Sequence, residues 1–198
     1  LISKKYNLNF LSSGLLYRYI AYNLLLKKNI KNKSSNINSL TKKITLDKLK
    51  NKKLFKPEVT YYSSIIAQSK NIRNKLKKYQ KSFSKQRLAC IEGRDIGSVI
   101  CPNADIKIFF KCSLDVKAKR RLKEYRKINK KITFQEVKKA LKKRDLADAK
   151  RKISPLRLPL SAYIVDTSKL NKKQMLMKLS KIIENKLLSK YGRNYKTK

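Results

Sequence analysis

Histidine and tryptophan are absent from the 198 residues. Without histidine, Ser/His/Asp and Cys/His nucleophilic triads are excluded, and a zinc site would have only Cys and carboxylates to draw on. Cys90, Cys101 and Cys112 form no CxxC pair, so no structural metal is expected; Cys90 and Cys112, in or beside apolar runs, read as small buried hydrophobes. Lys or Asn interrupts every apolar run well short of the roughly 18 residues that a membrane span needs. Residues 1–26 lack the continuous apolar block and small-residue cleavage site of a signal peptide, and a cytoplasmic address is the expectation. Acidic residues number 12 against 53 basic ones, for a net charge of +41.

The length suits one domain, with 41% hydrophobic residues to build its core. Of the 53 basic residues, 42 are Lys and 11 are Arg. A basic nucleic-acid binder is one reading of that excess, because each phosphate neutralised releases counterions. The other is compositional drift, favoured by the even spread of Lys and Asn along the chain. Against a lysine background, a position that remains Arg marks a place where a planar, bidentate fork is needed.

Residues 1–6 read as the end of a helix, and Leu8, Phe10 and Leu11 as a short strand before Ser12-Ser13-Gly14. Leu15, Leu16, Tyr19, Ile20 and Leu24 then repeat at helical spacing to about Lys28. Residues 27–57 are rich in Lys, Asn and Ser and predict a mobile insert. Val59 to Phe83 carry the pattern of two helices or one bent helix. Strands are predicted at 88–91, 106–110 and 162–165. Ser113 is a candidate cap, and Thr133-Phe134-Gln135-Glu136 has the form of a capping box that opens a helix stopped by Pro155 and Pro159. Residues 175–187 form the apolar stripe of a last helix, and 192–198 are a polar tail. Short strands separated by helices predict an α/β fold with a parallel sheet.

Three constellations carry chemistry. Glu92-Gly93-Arg94-Asp95-Ile96-Gly97 follows a strand, at the carboxyl edge where open α/β sheets bind ligands; the alternative is a turn in which Arg94 and Asp95 pair with each other. Arg144, Asp148 and Arg151 stand at i, i+4 and i+7, as an anion site or as simple intrahelical ion pairs. Ser12-Ser13-Gly14-Leu15-Leu16-Tyr17-Arg18 places a turn before a helix, where backbone N–H groups receive an anion or a serine merely caps. Tyr17 reads as a packing residue ahead of a stacking platform.

Together, EGRDIGSVICPNADIKIF at 92–109, RDLADAKRKISPL at 144–156 and SSGLLYR at 12–18 resemble the cytidylate kinase family over nearly the whole chain. The resemblance implies a three-layer parallel sheet of the nucleoside monophosphate kinase (P-loop) type, one domain over 1–191, a nucleotide-binding insert at about 27–57 and a lid at about 117–133. It implies ATP-dependent phosphorylation of CMP or dCMP, with Mg²⁺. Ser13, Arg18, Ser64, Arg73, Arg94, Asp95, Arg144, Asp148 and Arg151 match positions that bind the pyrimidine monophosphate, and every basic residue among them is Arg. Arg18, Arg73 and Arg144 would clamp phosphate oxygens. Asp148 would accept from a sugar hydroxyl, Ser64, Arg73 and Asp95 would read the base edge, and Arg151 would stabilise the moving phosphoryl. Arg120 and Arg121 fall where the family has its lid over ATP, or simply on a charged helix face. Glu92 would organise Mg²⁺ or its waters, or cap.

One departure stands out. The only glycines are Gly14, Gly93, Gly97 and Gly192, and none belongs to a GxxxxGK[ST] phosphate loop. The resemblance then implies a chain truncated before or within that loop and lacking the central first strand, so that 88–91 and 106–110 should not pair and the chain alone should be inactive. A nucleotide-binding pseudokinase and a basic RNA-binding protein on a degenerate kinase scaffold are the rival readings. A monomer is expected, touching nucleic acid only through non-specific charge.

Overall fold

The computed structural model describes residues 1–26, 33–126 and 131–192. Its elements alternate as expected for α/β: α1 (Ile2–Lys5), β1 (Asn9–Ser12), α2 (Ser13–Leu26), α3 (Lys33–Lys42), α4 (Leu46–Leu49), a 3-10 turn (Lys52–Phe55), α5 (Pro57–Ile66), α6 (Lys70–Ser84), β2 (Ala89–Glu92), a π-type turn (Ile96–Ile100), β3 (Ile108–Lys111), α7 (Leu114–Tyr125), α8 (Phe134–Lys150), β4 (Tyr163–Asp166) and α9 (Lys172–Tyr191). The 192–198 tail lies outside the described residues beyond Gly192, as does the part of the expected lid at 127–130.

The strands form two separate parallel pairs. β1 runs beside β2 with Leu11 opposite Ile91, and β3 beside β4 with Phe110 opposite Val165. No ladder joins β2 to β3 among the described residues, as expected for 88–91 and 106–110. Both edges instead line one cleft of about 2400 Å³.

Local chemistry explains the helix starts. Thr133 and Glu136 complete the capping box at the head of α8, each bonding the other's backbone N–H, and Ser113 accepts from Val116 N at 3.3 Å to cap α7. The main core draws every fully buried member from residues 11–83, with Leu11, Leu16, Ile20, Leu54 and Leu76 all at 0% exposure. Burying each such side chain is worth about 1.5–3 kcal/mol. No helix among the described residues is long and apolar enough to cross a membrane.

Two expectations need correction. Most of the stretch expected as a mobile insert at 27–57 is built into the fold: residues 33–55 form α3, α4 and the 3-10 turn and lend Ile37, Leu40, Ile44, Leu49 and Leu54 to the core. Their few apolar residues are well spaced, and packing against α2 and α6 supplies what propensity lacks. Residues 27–32 lie outside the described residues. The second correction concerns α8, which ends at Lys150, ahead of Pro155: Arg151 is already extended at ψ 140°. Arg144, Asp148 and Arg151 therefore do not share one helix face.

Candidate active site

β1 hands the chain directly to α2, so Ser13 is the first helical residue and the N-terminal N–H groups of a 14-residue helix open at the carboxyl end of the strand. Ser13 is 3% exposed, and its Oγ accepts from Gln80 Nε2 on α6. Parallel pairing brings Glu92 opposite Ser12, which sets the Gly93-Arg94-Asp95 turn beside that helix start. Glycine is required at 93, where an added Cβ would stand 2.7 Å from Ile96 Cγ1 and 2.9 Å from Ser13 Cβ.

Arg94 and Asp95 do not pair with each other, so the plain-turn reading does not apply. Arg94 Nε lies 3.1 Å from Asp148 Oδ2, and its Nη2 lies 3.5 Å from Asp145 Oδ1. Asp95 faces the other way and accepts from Arg73 Nη2 at 2.5 Å, inside the protein. Arg73 also donates to Ala67 O at 3.0 Å and lies over the ring of Tyr17 at 5.6 Å. Arg151 completes the chain of charges: its Nη1 is 3.2 Å from Asp148 Oδ1, its Nη2 is 4.0 Å from Asp95 Oδ1, and its Nε donates to Ser154 O. By leaving the helix after Lys150, Arg151 can reach both carboxylates.

Arg144 meets Asp148 only at 4.0 Å, and Arg18 makes no ion pair or hydrogen bond among the described residues, only a contact with the Phe55 ring. Burial pulls the pKa of both guanidiniums below the ordinary arginine value; Arg144 lowers Arg18 further, Arg94 lowers Arg144, and Arg121 acts on both. Burial likewise lowers Arg151, opposed by Asp95 and Asp148. Tyr17 is driven up to about 12 by burial, so its hydroxyl keeps its proton. The packing reading of Tyr17 matches its 9% exposure.

Two buried side-chain atoms, Arg73 Nε and Arg151 Nη2, have no hydrogen-bond partner among the described residues, and a third, Asp148 Oδ2, is met only by guanidiniums, Arg94 Nε at 3.1 Å and Arg144 Nε at 4.0 Å. All three belong to this one cluster. A buried polar atom left unpaired costs about 1–3 kcal/mol, and a ligand with both donors and acceptors removes that cost.

All nine residues singled out for the monophosphate line the large cleft, together with Glu92 and Arg121. Ser64 sits at its wall with its hydroxyl donated to Tyr61 O at 2.6 Å. Arg120 does not line it. Its guanidinium donates to Thr167 O at 2.7 Å and Leu170 O at 3.1 Å, tying α7 to the turn after β4, so the expected Arg120–Arg121 pair over the donor divides. Glu92 is exposed, and no group of three Cys, Asp or Glu side chains able to hold a metal gathers among the described residues. Magnesium ions in kinase sites lean on one or two carboxylates plus substrate phosphates, a donor set that Glu92 fits.

The sequence reading missed Gln80, which holds Ser13, and Asp145, which Arg94 shares with Lys117. A polar residue among Ile72, Leu76 and Phe83 on the buried face of α6, which also carries Arg73, was the available signal for Gln80.

The chain is also similar to known proteins over nearly its whole length. The family described as "Cytidylate kinase" matches residues 1–185. The cytidylate kinase of Clostridium tetani is 30% identical over 98% of this chain and 90% of its own. That of Thermotoga maritima is 30% identical over 94% of this chain and 90% of its own, and that of Fusobacterium nucleatum 34% over 93% and 89%. Fold and relatives define a phosphotransferase that acts on a small nucleotide with ATP as donor. The chain belongs to the cytidylate kinase family.

Proposed function

We propose that the arginine cluster is the acceptor site of a cytidylate kinase that takes CMP or dCMP and, with ATP and Mg²⁺, forms the diphosphate. The observation that carries this reading is the gathering in one place of two buried guanidinium nitrogens without a hydrogen-bond partner and a buried carboxylate oxygen met only by guanidiniums, in a cluster where guanidiniums outnumber carboxylates. A phosphate supplies the missing charge, and a pyrimidine edge supplies paired donors and acceptors.

Arg18 and Arg144, held near each other without carboxylates of their own on Arg18, suit the acceptor phosphate, assisted by the head of α2. Arg94 and Asp148 suit the sugar, with Asp148 Oδ2 accepting from a hydroxyl. Arg73 has both terminal nitrogens engaged inside the protein and only Nε to offer, which favours the base edge over the phosphate, beside Ser64 and Asp95. Arg151 Nη2 suits the charge that spreads over the transferred phosphoryl. Arg121 suits the donor side, and Glu92 would hold Mg²⁺ with the nucleotide phosphates. Mg²⁺ would neutralise the charge on the donor phosphates. Transfer is then positioning plus charge neutralisation: an acceptor phosphate oxygen attacks the γ-phosphorus, the bond to the ADP oxygen breaks, and no covalent enzyme intermediate forms.

Competition titration tests the assignment. CMP and dCMP should saturate one site per chain, ahead of UMP, AMP and GMP. Because no GxxxxGK[ST] occurs in the 198 residues, a coupled assay with ATP and CMP should register no turnover by this chain alone. Preferential binding of a purine monophosphate would overturn the reading.

A further inference from the structure

Phe55 ends the 3-10 turn of residues 52–55. Its neighbour Leu54 is 0% exposed and anchors that turn in the core. Successive side chains of a 3-10 turn point about 120° apart, so burying Leu54 turns Phe55 outward, where it remains 49% exposed. Pro57, at the start of α5, fixes the chain just beyond it. The ring is thus aimed from both sides, and it lines the same cleft as the arginine cluster.

Arg18 Cζ lies 5.2 Å from the centre of that ring, within range of a cation–π contact. Among the described residues, the Arg18 guanidinium makes this contact and no hydrogen bond or ion pair. Arg144 and Arg121 repel it, while Glu92 attracts it. A long side chain pushed by two like charges does not keep one rotamer unaided.

We propose that Phe55 is a positioning residue for the acceptor phosphate: its ring holds the Arg18 guanidinium in the cleft so that the phosphate of a nucleoside monophosphate meets a fork already in place. The proposal rests on the acceptor-site reading above and adds to it a residue that acts only through Arg18. The ring prepays part of the ordering of Arg18 that phosphate binding requires.

A double-mutant cycle on the full chain tests it, with CMP as the probe in calorimetric titrations. Phe55→Leu should weaken CMP about two- to fivefold, and Phe55→Tyr should restore the affinity. In an Arg18→Ala background, Phe55→Leu should change nothing further. The Arg18 Nε–Hε signal in nitrogen-edited NMR should broaden in Phe55→Leu while the unfolding midpoint stays within error. Equal loss in both backgrounds means that the ring meets the nucleotide or merely supports the fold, and overturns the proposal; so does no loss at all while the wild-type chain binds CMP. Failure of the wild-type chain to bind CMP removes the acceptor site itself, an outcome separate from either of those.

Discussion

Arg73 Nη2 donates to Asp95 Oδ2 at 2.5 Å, with the two side chains 5% and 6% exposed. The bond spans 22 residues and joins α6 to the turn after β2. It couples stability to the site, because Asp95 Oδ1 also lies 4.0 Å from Arg151 Nη2. Asp95→Ala leaves the buried Arg73 guanidinium without a carboxylate and Arg151 with Asp148 alone. Urea unfolding should show a loss of about 3–5 kcal/mol. A loss below about 1 kcal/mol would mean that the pair is not buried as described.

Arg18→Lys and Arg144→Lys keep the charge and remove the fork. If the forks hold a phosphate, each should weaken CMP roughly tenfold or more in calorimetric titrations, since a hydrogen bond to a charged group is worth about 1.5–3 kcal/mol. Lys142→Ala, at an exposed position of α8, should leave the affinity unchanged. Equal effects at all three positions would reduce the site to a diffuse positive field.

Gly93→Ala puts a methyl group against Ile96 Cγ1 and the Ser13 Cβ, two atoms that cannot swing away cheaply. Overpacking of this kind costs about 1–3 kcal/mol. The same shift displaces Ser13 from Gln80, so CMP affinity should fall along with the thermal midpoint. Gly14→Ala, where the nearest neighbour of an added Cβ is Ser12 Oγ at 4.0 Å, is the matched control and should be far milder.

Much of this arrangement was legible in the sequence, and the gaps have physical causes. The strand positions and the Thr133–Glu136 cap follow from local chemistry, and the structure reproduces them. The surviving arginines pointed to the cleft because guanidinium geometry is hard to replace with lysine in a lysine-rich chain. What escaped depended on distant partners. Ile37, Leu40 and Ile44 are spaced as a helix face, but the Asn and Ser between them masked that pattern until α6 packed against it. Arg151 looked like the next turn of α8, and only the position of Asp95, far back in the chain, shows why it departs. The Gln80–Ser13 contact spans 67 residues, and no local rule anticipates it.

Ionic strength separates a nucleotide site from a polyanion surface. With a net charge of +41, the chain will hold RNA oligonucleotides at low salt whatever its function. Releasing many counterions makes that binding fall steeply, roughly as the power set by the number of phosphates contacted. One CMP phosphate in a partly enclosed site should show a shallow slope. Filter binding of a generic RNA and calorimetry of CMP across the same salt series should therefore diverge, and parallel slopes would favour the RNA-binding alternative.

The central claim is that Arg18, Arg73, Arg94, Arg144 and Arg151 address a single mononucleotide. Titration of CMP into ¹⁵N-arginine-labelled chain, read at the Nε–Hε signals, tests it most directly. The account predicts saturation at one CMP per chain, with these five signals moving along one binding curve and those of Arg87 and Arg120, which do not line the cleft, unmoved. Shifts spread over all the arginines without saturation, or none at these five, would contradict it.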